Sequence, residues 1–164
     1  MGRFLFVSLC LLVVAFSLNG IGAHRYCPFD WFSHNASCYK LFKHPMTWDR
    51  AQRFCTEKQE NGQLASIHDA EVSVKLSNHI SQRLKILDVW IGLRLSKRKS
   101  IWEWSDGSNL TYTSWEKGEP NNLMNGEFCA VLSTGSRYLQ WNDKSCWHVH
   151  SFVCKFQLQS EAKA

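Results

Sequence analysis

Beyond its first residues, the sequence has no long apolar run. The apolar stretch 4–18 follows Met1-Gly2-Arg3 and precedes the small residues Ile21-Gly22-Ala23, a pattern typical of a secretory signal peptide. A membrane anchor is the alternative, but it would need about 20 apolar residues and flanking charges. We predict that residues 1–23 are a removable leader and that residues 24–164 form a secreted, extracellular chain with no membrane insertion.

The mature chain would also lack a spare cysteine. Cys10 is removed with the leader, which leaves six cysteines. An even number of cysteines in a secreted chain predicts three disulfides, although spacing alone does not choose the pairing. Zinc is the alternative, because Cys146 is followed by His148 and His150. The sequence has no Cys-x-x-Cys pair, however, and an oxidising route favours disulfides over thiolates. The cysteines expected to pair are Cys27, Cys38, Cys55, Cys129, Cys146 and Cys154.

Catalytic motifs are missing too. There is no Gly-x-Ser-x-Gly elbow, no His-Glu-x-x-His pair and no Cys-Cys-x-x-His run, so we expect no enzyme activity. The net charge of +5 is modest, and Lys97-Arg98-Lys99 is the only tight basic run. We interpret this run as a solvated loop, because a heparin or nucleic-acid patch would need more charge, and we expect no nucleic-acid partner.

Aromatic residues, by contrast, are abundant. The sequence contains eight Trp and ten Phe, which predict a core of large aromatic side chains. Roughly 140 mature residues are enough for one domain with a real core. Thr47 is expected to cap a helix that begins at Trp48 and stops at Gly62, and Asp69 is expected to cap a second helix. The apolar stripe of the second helix consists of Val72, Leu76, Ile80 and Leu84.

Short strands with little regular helix fill the rest, which makes the predicted fold class α+β. Alternation and apolar content predict strands at 37–42, 89–93, 102–104, 128–132, 138–141 and 152–156. A short extended link is expected at 64–67, and Gly92 is expected to permit close backbone approach. Residues 105–127 have no period, and a loop of this length in a compact domain is usually functional or disordered. Trp115 within it favours an ordered loop.

Oxygen-bearing side chains are concentrated in and after this loop. Glu119-Pro120-Asn121-Asn122 and Glu127 lie in it, and Trp141-Asn142-Asp143 follows. Calcium takes about six to eight oxygen ligands, and a cis bond before Pro120 would turn both flanking side chains toward one point. Asn142 and Asp143 are adjacent, so both would reach one ion only at an irregular turn. Ordinary turn chemistry is the alternative interpretation. The candidate ligands are Glu119, Asn121, Glu127, Asn142 and Asp143.

The combination of these motifs resembles the calcium and sugar site of C-type lectin domains. Trp90-Ile91-Gly92-Leu93 is similar to the central strand of that family, and the cysteine spacing fits its long form. The resemblance covers 27–154, nearly the whole mature chain. The leader and the segments 48–55 and 90–94 look most like snake-venom lectins. The resemblance implies a fold with two helices, short antiparallel sheets, a long calcium-binding loop and three disulfides.

The resemblance also implies how a sugar would bind. In the family the calcium ion ligates two neighbouring sugar hydroxyls, and the protein ligands of the metal hydrogen-bond the same hydroxyls. Glu119 would supply acceptors and Asn121 a donor. The order Glu-Pro-Asn resembles members that bind mannose-type sugars through equatorial hydroxyls, whereas galactose-type members carry Gln-Pro-Asp. The implied sugar-binding residues are Glu119, Pro120, Asn121, Glu127 and Asn142.

Three further expectations follow from the resemblance. Family pairing implies Cys27–Cys38, Cys55–Cys154 and Cys129–Cys146, and the long link would close a loop of about 100 residues, worth roughly 4.7 kcal/mol in the chain-entropy model. Agglutinating venom lectins are often covalent dimers, but Asn109 stands where their linking cysteine lies, so we expect a monomer or a non-covalent homodimer. Asn35-Ala36-Ser37 and Asn109-Leu110-Thr111 are sequons for N-glycosylation.

The function that we expect is therefore a secreted, calcium-dependent venom lectin that binds mannose-type glycans on cell-surface glycoproteins or glycolipids. Agglutination of cells would require multivalency. The alternative is a venom lectin-like protein that has lost sugar binding and acts on a haemostatic factor or platelet receptor. Such members typically lose calcium ligands and form disulfide-linked heterodimers. This chain retains all five candidate ligands and lacks the linking cysteine, which favours the lectin.

Overall fold

The computed structural model of the chain describes residues 26–96, 98 and 100–159. The predicted leader 1–23 lies outside these residues, as do Lys97 and Lys99 of the basic run, while Arg98 is exposed in a turn. The elements are β1 Phe32–His34, β2 Ser37–Met46, α1 Trp48–Lys58, β3 Gln63–Leu64, α2 Ala70–Ser81, β4 Val89–Ser96, β5 Ile101–Trp104, a 3-10 helix Leu123–Asn125, β6 Cys129–Leu132, β7 Trp141–Lys144 and β8 His150–Gln157.

The strands form one sheet in the order β1-β2-β8-β4-β6-β7, with β3 beside β8 and β5 beside β4. The β4–β8 pairing is parallel, and the other pairings are antiparallel. Ser37 pairs with Gln157, so strands from the two ends of the described chain lie side by side. Two helices with a largely antiparallel sheet are the α+β architecture that the sequence predicted. No helix of the described residues is long and apolar enough to cross a bilayer.

Helix α1 begins at the predicted residue but ends early. Trp48, Ala51 and Cys55 are its buried residues, at the spacing of three and four that places side chains on one helix face. The helix ends at Lys58, and Gln59 is already extended. The prediction that Gly62 stops the helix is therefore wrong, because Gly62 lies in the turn that follows, where its N–H donates to the Gln59 carbonyl over 2.8 Å.

Helix α2 agrees with its predicted start and stripe. The Asp69 carboxylate accepts a hydrogen bond from the Val72 N–H at 2.7 Å, which satisfies a backbone donor that the first turn leaves without a helical partner. Val72, Leu76 and Ile80 are at most 1 % exposed. Leu84 lies beyond the end of the helix and is only partly buried against the core. The stripe therefore fixes the helix against the sheet.

The core is aromatic, as the composition predicted. Trp141 packs edge-on against Trp104, Tyr112 and Trp115, with ring centroids 5.6 to 5.8 Å apart. In a second cluster, buried Trp48 donates its indole N–H to the Ile91 carbonyl at 2.9 Å, and Trp90 donates to the Met46 carbonyl at 2.8 Å. Phe42 and Phe152 stack in that cluster at 5.4 Å. Indoles thus join strands and helix by both apolar contact and hydrogen bonds.

The close backbone approach expected at Gly92 is confirmed. A Cβ atom on Gly92 would lie 2.6 Å from the Leu64 carbonyl oxygen and 2.7 Å from the Ser105 hydroxyl oxygen. The Gly92 N–H donates to the Ala65 carbonyl at 2.9 Å, and the Gly92 carbonyl accepts from the Ser105 N–H at 2.7 Å. Strand β4 is therefore pressed between the 64–65 segment and the start of the long loop.

Three disulfides join the described cysteines, in the pairing that the family resemblance implied. Cys27 is bonded to Cys38, Cys55 to Cys154 and Cys129 to Cys146. The second disulfide ties α1 to β8 across 99 residues of sequence. Because Cys146 is oxidised, it offers no thiolate, and the zinc alternative for Cys146, His148 and His150 loses its sulfur ligand.

Strand β7 is displaced from its predicted position. The strand expected at 138–141 begins only at Trp141, because Tyr138 adopts a positive φ of 66° and sits in a turn with its buried hydroxyl donating to the Leu87 carbonyl at 3.2 Å. Asn142 and Asp143 pair with Val131 and Ala130 in the sheet. They therefore lie in a strand and not in the irregular turn that we expected to be needed for both to reach one ion, while their role as ligands stays a prediction.

Candidate functional site

The long loop 105–127 is ordered by its attachment to β7. Trp115 forms an isolated parallel bridge with Trp141. The Trp141 N–H donates to the Ser114 carbonyl at 2.7 Å, and the Glu116 N–H donates to the Trp141 carbonyl at 2.8 Å. The loop therefore runs along the edge of the sheet before it reaches Glu119, as the presence of Trp115 predicted.

Glu119 and Asn121 form the first part of the candidate site. The Glu119–Pro120 peptide bond between them is cis. The Asn121 N–H donates to Glu119 Oε2 at 3.0 Å, and the Asn121 side-chain amide donates to Glu119 Oε1 at 2.8 Å. Both Glu119 carboxylate oxygens thus face Asn121, which sets an acceptor and a donor side by side.

Asp143 connects this pair to the sheet. It is fully buried on β7, and its Oδ1 accepts from the Asn121 N–H at 3.2 Å. Its Oδ2 accepts from the Asn122 N–H at 2.7 Å. Two successive backbone donors therefore hold the loop against one carboxylate, a charge-assisted arrangement that is stronger than neutral hydrogen bonding. Asn122 has a positive φ of 46°, which an Asn tolerates better than most residues.

The carboxyl groups of Glu119 and Asp143 lie close to each other. Burial and the nearby Asp143 carboxyl, through both a hydrogen bond and charge repulsion, raise the pKa of Glu119 above its ordinary value, against the lowering effect of the Asn121 N–H. Two like charges in contact disfavour ionisation of one partner. A cation between the two groups would favour the ionised form of both.

Glu127 and Asn142 lie at the margin of this group. Glu127 is 9 % exposed, and its Oε2 accepts from the Leu123 N–H at 3.2 Å. The Asn142 side-chain amide donates to Glu116 Oε2 at 3.2 Å, while its Oδ1 is buried without a hydrogen-bond partner. Within the described ranges, no hydrogen bond links either side chain to Glu119 or Asp143. The structure therefore gathers Glu119, Asn121 and Asp143 directly and the other two candidates around them.

The side chains that bind metals most often do not form a complete ligand set at this site. The described part of the chain has no group of three or more His, Cys, Asp and Glu side chains placed to hold a metal ion. Two of the five candidate ligands are asparagines, which do not belong to those four residue types. The Glu127 carboxylate is turned toward the backbone of the 3-10 helix. A metal at this site would therefore depend on amide as well as carboxylate oxygens.

Two residues near the site were not among the predicted ligands. Asn122 Oδ1 accepts from the Glu127 N–H at 3.0 Å, so Asn122 closes the segment 122–127 at the end of the loop. Glu116 holds the Asn142 amide. Asn122 stands in the Pro-Asn-Asn turn signal, which predicts backbone-directed hydrogen bonds. No sequence signal pairs Glu116 with Asn142, because 26 residues separate them.

The sequons and the position of the missing linking cysteine are both at the surface. Asn35 and Asn109 are exposed. Each of the six cysteines between residues 26 and 159 is in an intramolecular disulfide. The described chain thus offers no free thiol for a covalent dimer.

The fold is a disulfide-linked α+β domain, and its long loop carries clustered carboxylate and amide groups. These two features place the chain in the class of small lectin-like domains. The "Lectin C-type domain" model matches residues 44–156. The chain belongs to the C-type lectin domain family. Members of this family generally bind carbohydrate, often with calcium, and generally have no enzyme activity.

The relatives are similar over almost their full lengths. "C-type lectin 1" from Hydrophis hardwickii is 74% identical over 162 residues, covering 99% of both chains. "C-type lectin lectoxin-Phi1" from Philodryas olfersii is 68% identical, covering 95% of this chain and 100% of its own. The described fold thus lies within the region over which these proteins align with this chain.

Solved structures agree on the fold. The C-type lectin CEL-I from Cucumaria echinata matches with a TM-score of 0.75 at 28% identity, covering 81% of this chain and 99% of that chain. A calcium-independent type II antifreeze protein matches with a TM-score of 0.70 at 28% identity, covering 82% and 96%. Because a calcium-independent protein shares the fold, the fold alone does not establish that calcium binds.

Proposed function

We propose that the protein is a secreted, calcium-dependent venom lectin that binds mannose-type glycans on cell-surface glycoproteins or glycolipids. Its similarity to "C-type lectin 1" and "lectoxin-Phi1" supports a lectin of the venom type. The observation that carries the proposal is the clustering of Glu119, Asn121 and Asp143, in which one carboxylate is buried and the other is half-buried beside an amide donor.

The oxygen atoms of this cluster suit calcium. Glu119 and Asp143 present two adjacent carboxylates whose mutual repulsion a divalent cation would remove. The buried Asn142 Oδ1 has no hydrogen-bond partner, which leaves it free to act as a ligand. With these oxygens, the proposed ligand set is Glu119, Asn121, Glu127, Asn142 and Asp143. It meets the preference of calcium for carboxylate and amide oxygen.

Sugar recognition would use the same side chains. When bound, calcium would supply a Lewis-acidic centre for two neighbouring hydroxyls of one sugar ring. The Glu119 carboxylate accepts a hydrogen bond from one hydroxyl, and the Asn121 amide donates one to the other, because a hydroxyl both donates and accepts. Pro120, Glu127 and Asn142 complete the proposed sugar-binding residues. The order of acceptor and donor favours mannose-type over galactose-type sugars.

Other properties follow from the described surface. The chain acts as a binding protein without catalysis, and it is a monomer or a non-covalent homodimer because its six described cysteines are paired with one another. Agglutination of cells therefore depends on non-covalent association, since one shallow site of millimolar affinity gives only about 4 kcal/mol. Exposed Asn35 and Asn109 carry N-linked glycans.

Retention on mannose resin tests this proposal. The wild-type protein is expected to bind in calcium and to elute with EDTA or free mannose, but not with galactose. Asp143→Asn is expected to lose retention, because it weakens both the ligand charge and the attachment of the loop. Asp30→Asn, an exposed change of the same type outside the site, should leave retention unchanged. Elution by galactose alone, or failure of the folded wild type to bind, would overturn the proposal.

A further inference from the structure

A second concave surface lies between strand β2 and the end of helix α2. This groove has a volume of about 510 Å³. Lys40 and Lys43 reach it from β2, Arg83 reaches it from the residues after α2, and Trp31 and Phe32 form part of its wall. We call it the basic groove. None of its lining residues comes from the loop 105–127 or from β7, so it is separate from the proposed calcium site.

The positive charge of the basic groove is not neutralised within the protein. The Lys40 ammonium lies 5.5 Å from the centre of the Phe42 ring, and the Arg83 guanidinium donates to the His79 carbonyl at 2.9 Å. Both partners are uncharged. Among residues 26–159 that the structure describes, no ion pair forms with Lys40, Lys43 or Arg83, and Asp30 is the one carboxylate in the lining.

Three other cations in the described fold do form ion pairs, whereas Arg53 and Lys58 on α1, like the groove cations, form none within the described residues. Lys75 pairs with Glu71 at 2.7 Å, Arg94 pairs with Asp49 at 2.8 Å, and Lys155 pairs with Asp106 at 3.3 Å. Lys40 and Lys43 share strand β2, and Arg83 comes from a separate segment, so the three cations form no basic run, but folding brings them to one surface. The net charge of the chain is +5, so a local excess of three cations over one carboxylate is a large part of it.

The spacing of the cations indicates the kind of anion that would fit. Lys40 and Lys43 are three residues apart along a strand, which corresponds to about 10 Å. This distance separates their backbones, and Arg83 stands on a different element, so the three cations come from separate points along the groove. A chain that carries several anionic groups can contact both lysines and Arg83 together, and it releases counterions when it does so.

The aromatic wall gives the basic groove a rigid apolar side. Phe32 stacks on Tyr39 with ring centroids 5.3 Å apart and contacts the His79 ring at 4.9 Å. Trp31 packs edge-on against Phe156 at 5.0 Å. These rings are held in place by the core, so the groove has a preformed apolar face against which a sugar ring can lie.

We propose that the basic groove binds a sulfated or uronic-acid-containing glycan chain without calcium, in addition to the neutral sugar bound at the loop. The predicted leader directs the protein outside cells, where it meets anionic glycans, whereas anionic phospholipids are concentrated in the cytoplasmic leaflet of membranes. A glycan chain also uses the aromatic wall, which simple attraction to a charged surface does not require.

Binding to immobilised heparin with EDTA present tests the proposal, with heparin as the probe. Lys43→Gln/Arg83→Gln removes two groove cations, and Arg53→Gln/Lys58→Gln removes the same charge from the exposed side of α1. The groove variant is expected to bind heparin roughly ten-fold more weakly than wild type, with a shallower dependence on salt. The α1 variant is expected to bind within about two-fold of wild type. Lys43→Gln alone leaves the helix end intact and should show part of the loss.

Four results would overturn the proposal. Equal losses in the groove and α1 variants would mean that heparin responds to net charge alone. Loss of wild-type binding in EDTA, or competition by mannose, would place the heparin site at the loop. The last result is that the protein binds vesicles that contain phosphatidylserine and fails to bind heparin. If the groove variant then lost vesicle binding, the groove would be assigned to membranes. Thermal melting of each variant shows that it is folded.

Discussion

At the site, the position of each donor and acceptor matters more than the residue types alone. Glu119 presents two acceptor oxygens to Asn121, and the Asn121 amide keeps a donor beside them. Asp143 is held by two backbone N–H groups and so has a fixed direction. Such preorganisation reduces the ordering that ligand binding requires.

Exchange of the donor and acceptor is expected to exchange the sugar preference. In Glu119→Gln/Asn121→Asp, the first position gains a donor and the second becomes an acceptor, so the hydrogen bonds to the two sugar hydroxyls are reversed. Inhibition assays with free sugars should show mannose weakened and galactose strengthened, each by about ten-fold or more. Asn125→Asp, an exposed change on the same loop, is the control. An unchanged preference for mannose would show that the pair does not contact the hydroxyls.

Gly92 is expected to tolerate no side chain. A Cβ atom would lie 2.6 Å from a backbone oxygen, so Gly92→Ala forces β4 and the 64–65 segment apart and should lower the free energy of unfolding by about 1–3 kcal/mol. In Gly126→Ala the nearest atom would be 3.8 Å away, and this variant should unfold close to wild type. Urea unfolding of both variants provides the comparison. Equal stability of the two would contradict the packing described for β4.

Sequence reasoning at this scale identified residue types better than contacts. The polar residues of the loop and β7 stand out because oxygen ligands are unusual in such density. Asn122 carries only a general turn signal, and Glu116 carries none, because their hydrogen bonds to Glu127 and Asn142 exist only after folding. The five predicted ligands remain a prediction until the ion is measured.

The two helices show how local signals act on whole elements. Asp69 begins α2 with a side-chain hydrogen bond, whereas Thr47 stands at the start of α1 without one. Helix α1 is instead held by buried Trp48, Ala51 and Cys55 and by the disulfide to Cys154. Capping therefore contributes to α2 more than to α1.

Removal of the two caps is expected to have unequal effects. Asp69→Ala deletes the acceptor for the Val72 N–H and the 3.3 Å contact with His34, and it should cost about 1 kcal/mol of stability or somewhat more. Thr47→Ala loses no capping hydrogen bond and should cost less than about 0.5 kcal/mol. Asp69→Asn retains the cap and should be intermediate. Chemical denaturation in which Thr47→Ala costs as much as Asp69→Ala would contradict this account.

Element boundaries were predictable where side-chain patterns are regular. The stripe of α2 and the apolar strand β4 follow directly from spacing and content. The end of α1 and the start of β7 do not follow from spacing. The end of α1 depends on a turn through Asn61, which has a φ of 57°, and the start of β7 depends on the positive φ of Tyr138. Tertiary contacts, such as the Tyr138 hydroxyl to Leu87, decide such backbone conformations.

Over the whole molecule, the fold carries the loop on a rigid base. The disulfide between Cys55 and Cys154 and the pairing of β2 with β8 close the described chain on itself. Strand β7 is at the edge of the sheet and holds the loop through Trp141 and Asp143. The α+β class and the aromatic core were predictable from composition and patterning, whereas the basic groove was not, because its cations come from separate segments.

Partly buried histidines should make the stability of the whole domain dependent on pH. Burial lowers the pKa of His68, His79 and His150, with added effects from Lys155 on His68 and Arg83 on His79. In the unfolded chain the histidine pKa values are near the ordinary 6.5. The unfolded chain therefore binds protons at a pH where the folded protein does not. Acidification from about pH 7.5 to about pH 5.5 therefore favours unfolding and should lower the Tm.

His150 offers a direct control for this pH effect. Its ring packs edge-on against Trp90 at 4.6 Å, and both of its ring nitrogens are buried without a hydrogen-bond partner. His150→Asn removes one titrating group, so its Tm should fall less on acidification than that of wild type, in EDTA. His148→Asn removes only a smaller cause of the lowered pKa of His150, so its fall in Tm should lie between those of the other two proteins. A fall in Tm that is identical in all three proteins would contradict a role for His150.

Calorimetric titration of the folded, disulfide-intact protein with calcium tests the central claim most directly. The account predicts one ion per chain, bound in the range of about 10⁻⁴–10⁻³ M typical of extracellular modules, with binding lost in Glu119→Gln/Asp143→Asn and retained in Asp30→Asn. Absence of calcium uptake by the wild type, or uptake that survives in the double variant, would contradict the proposed site.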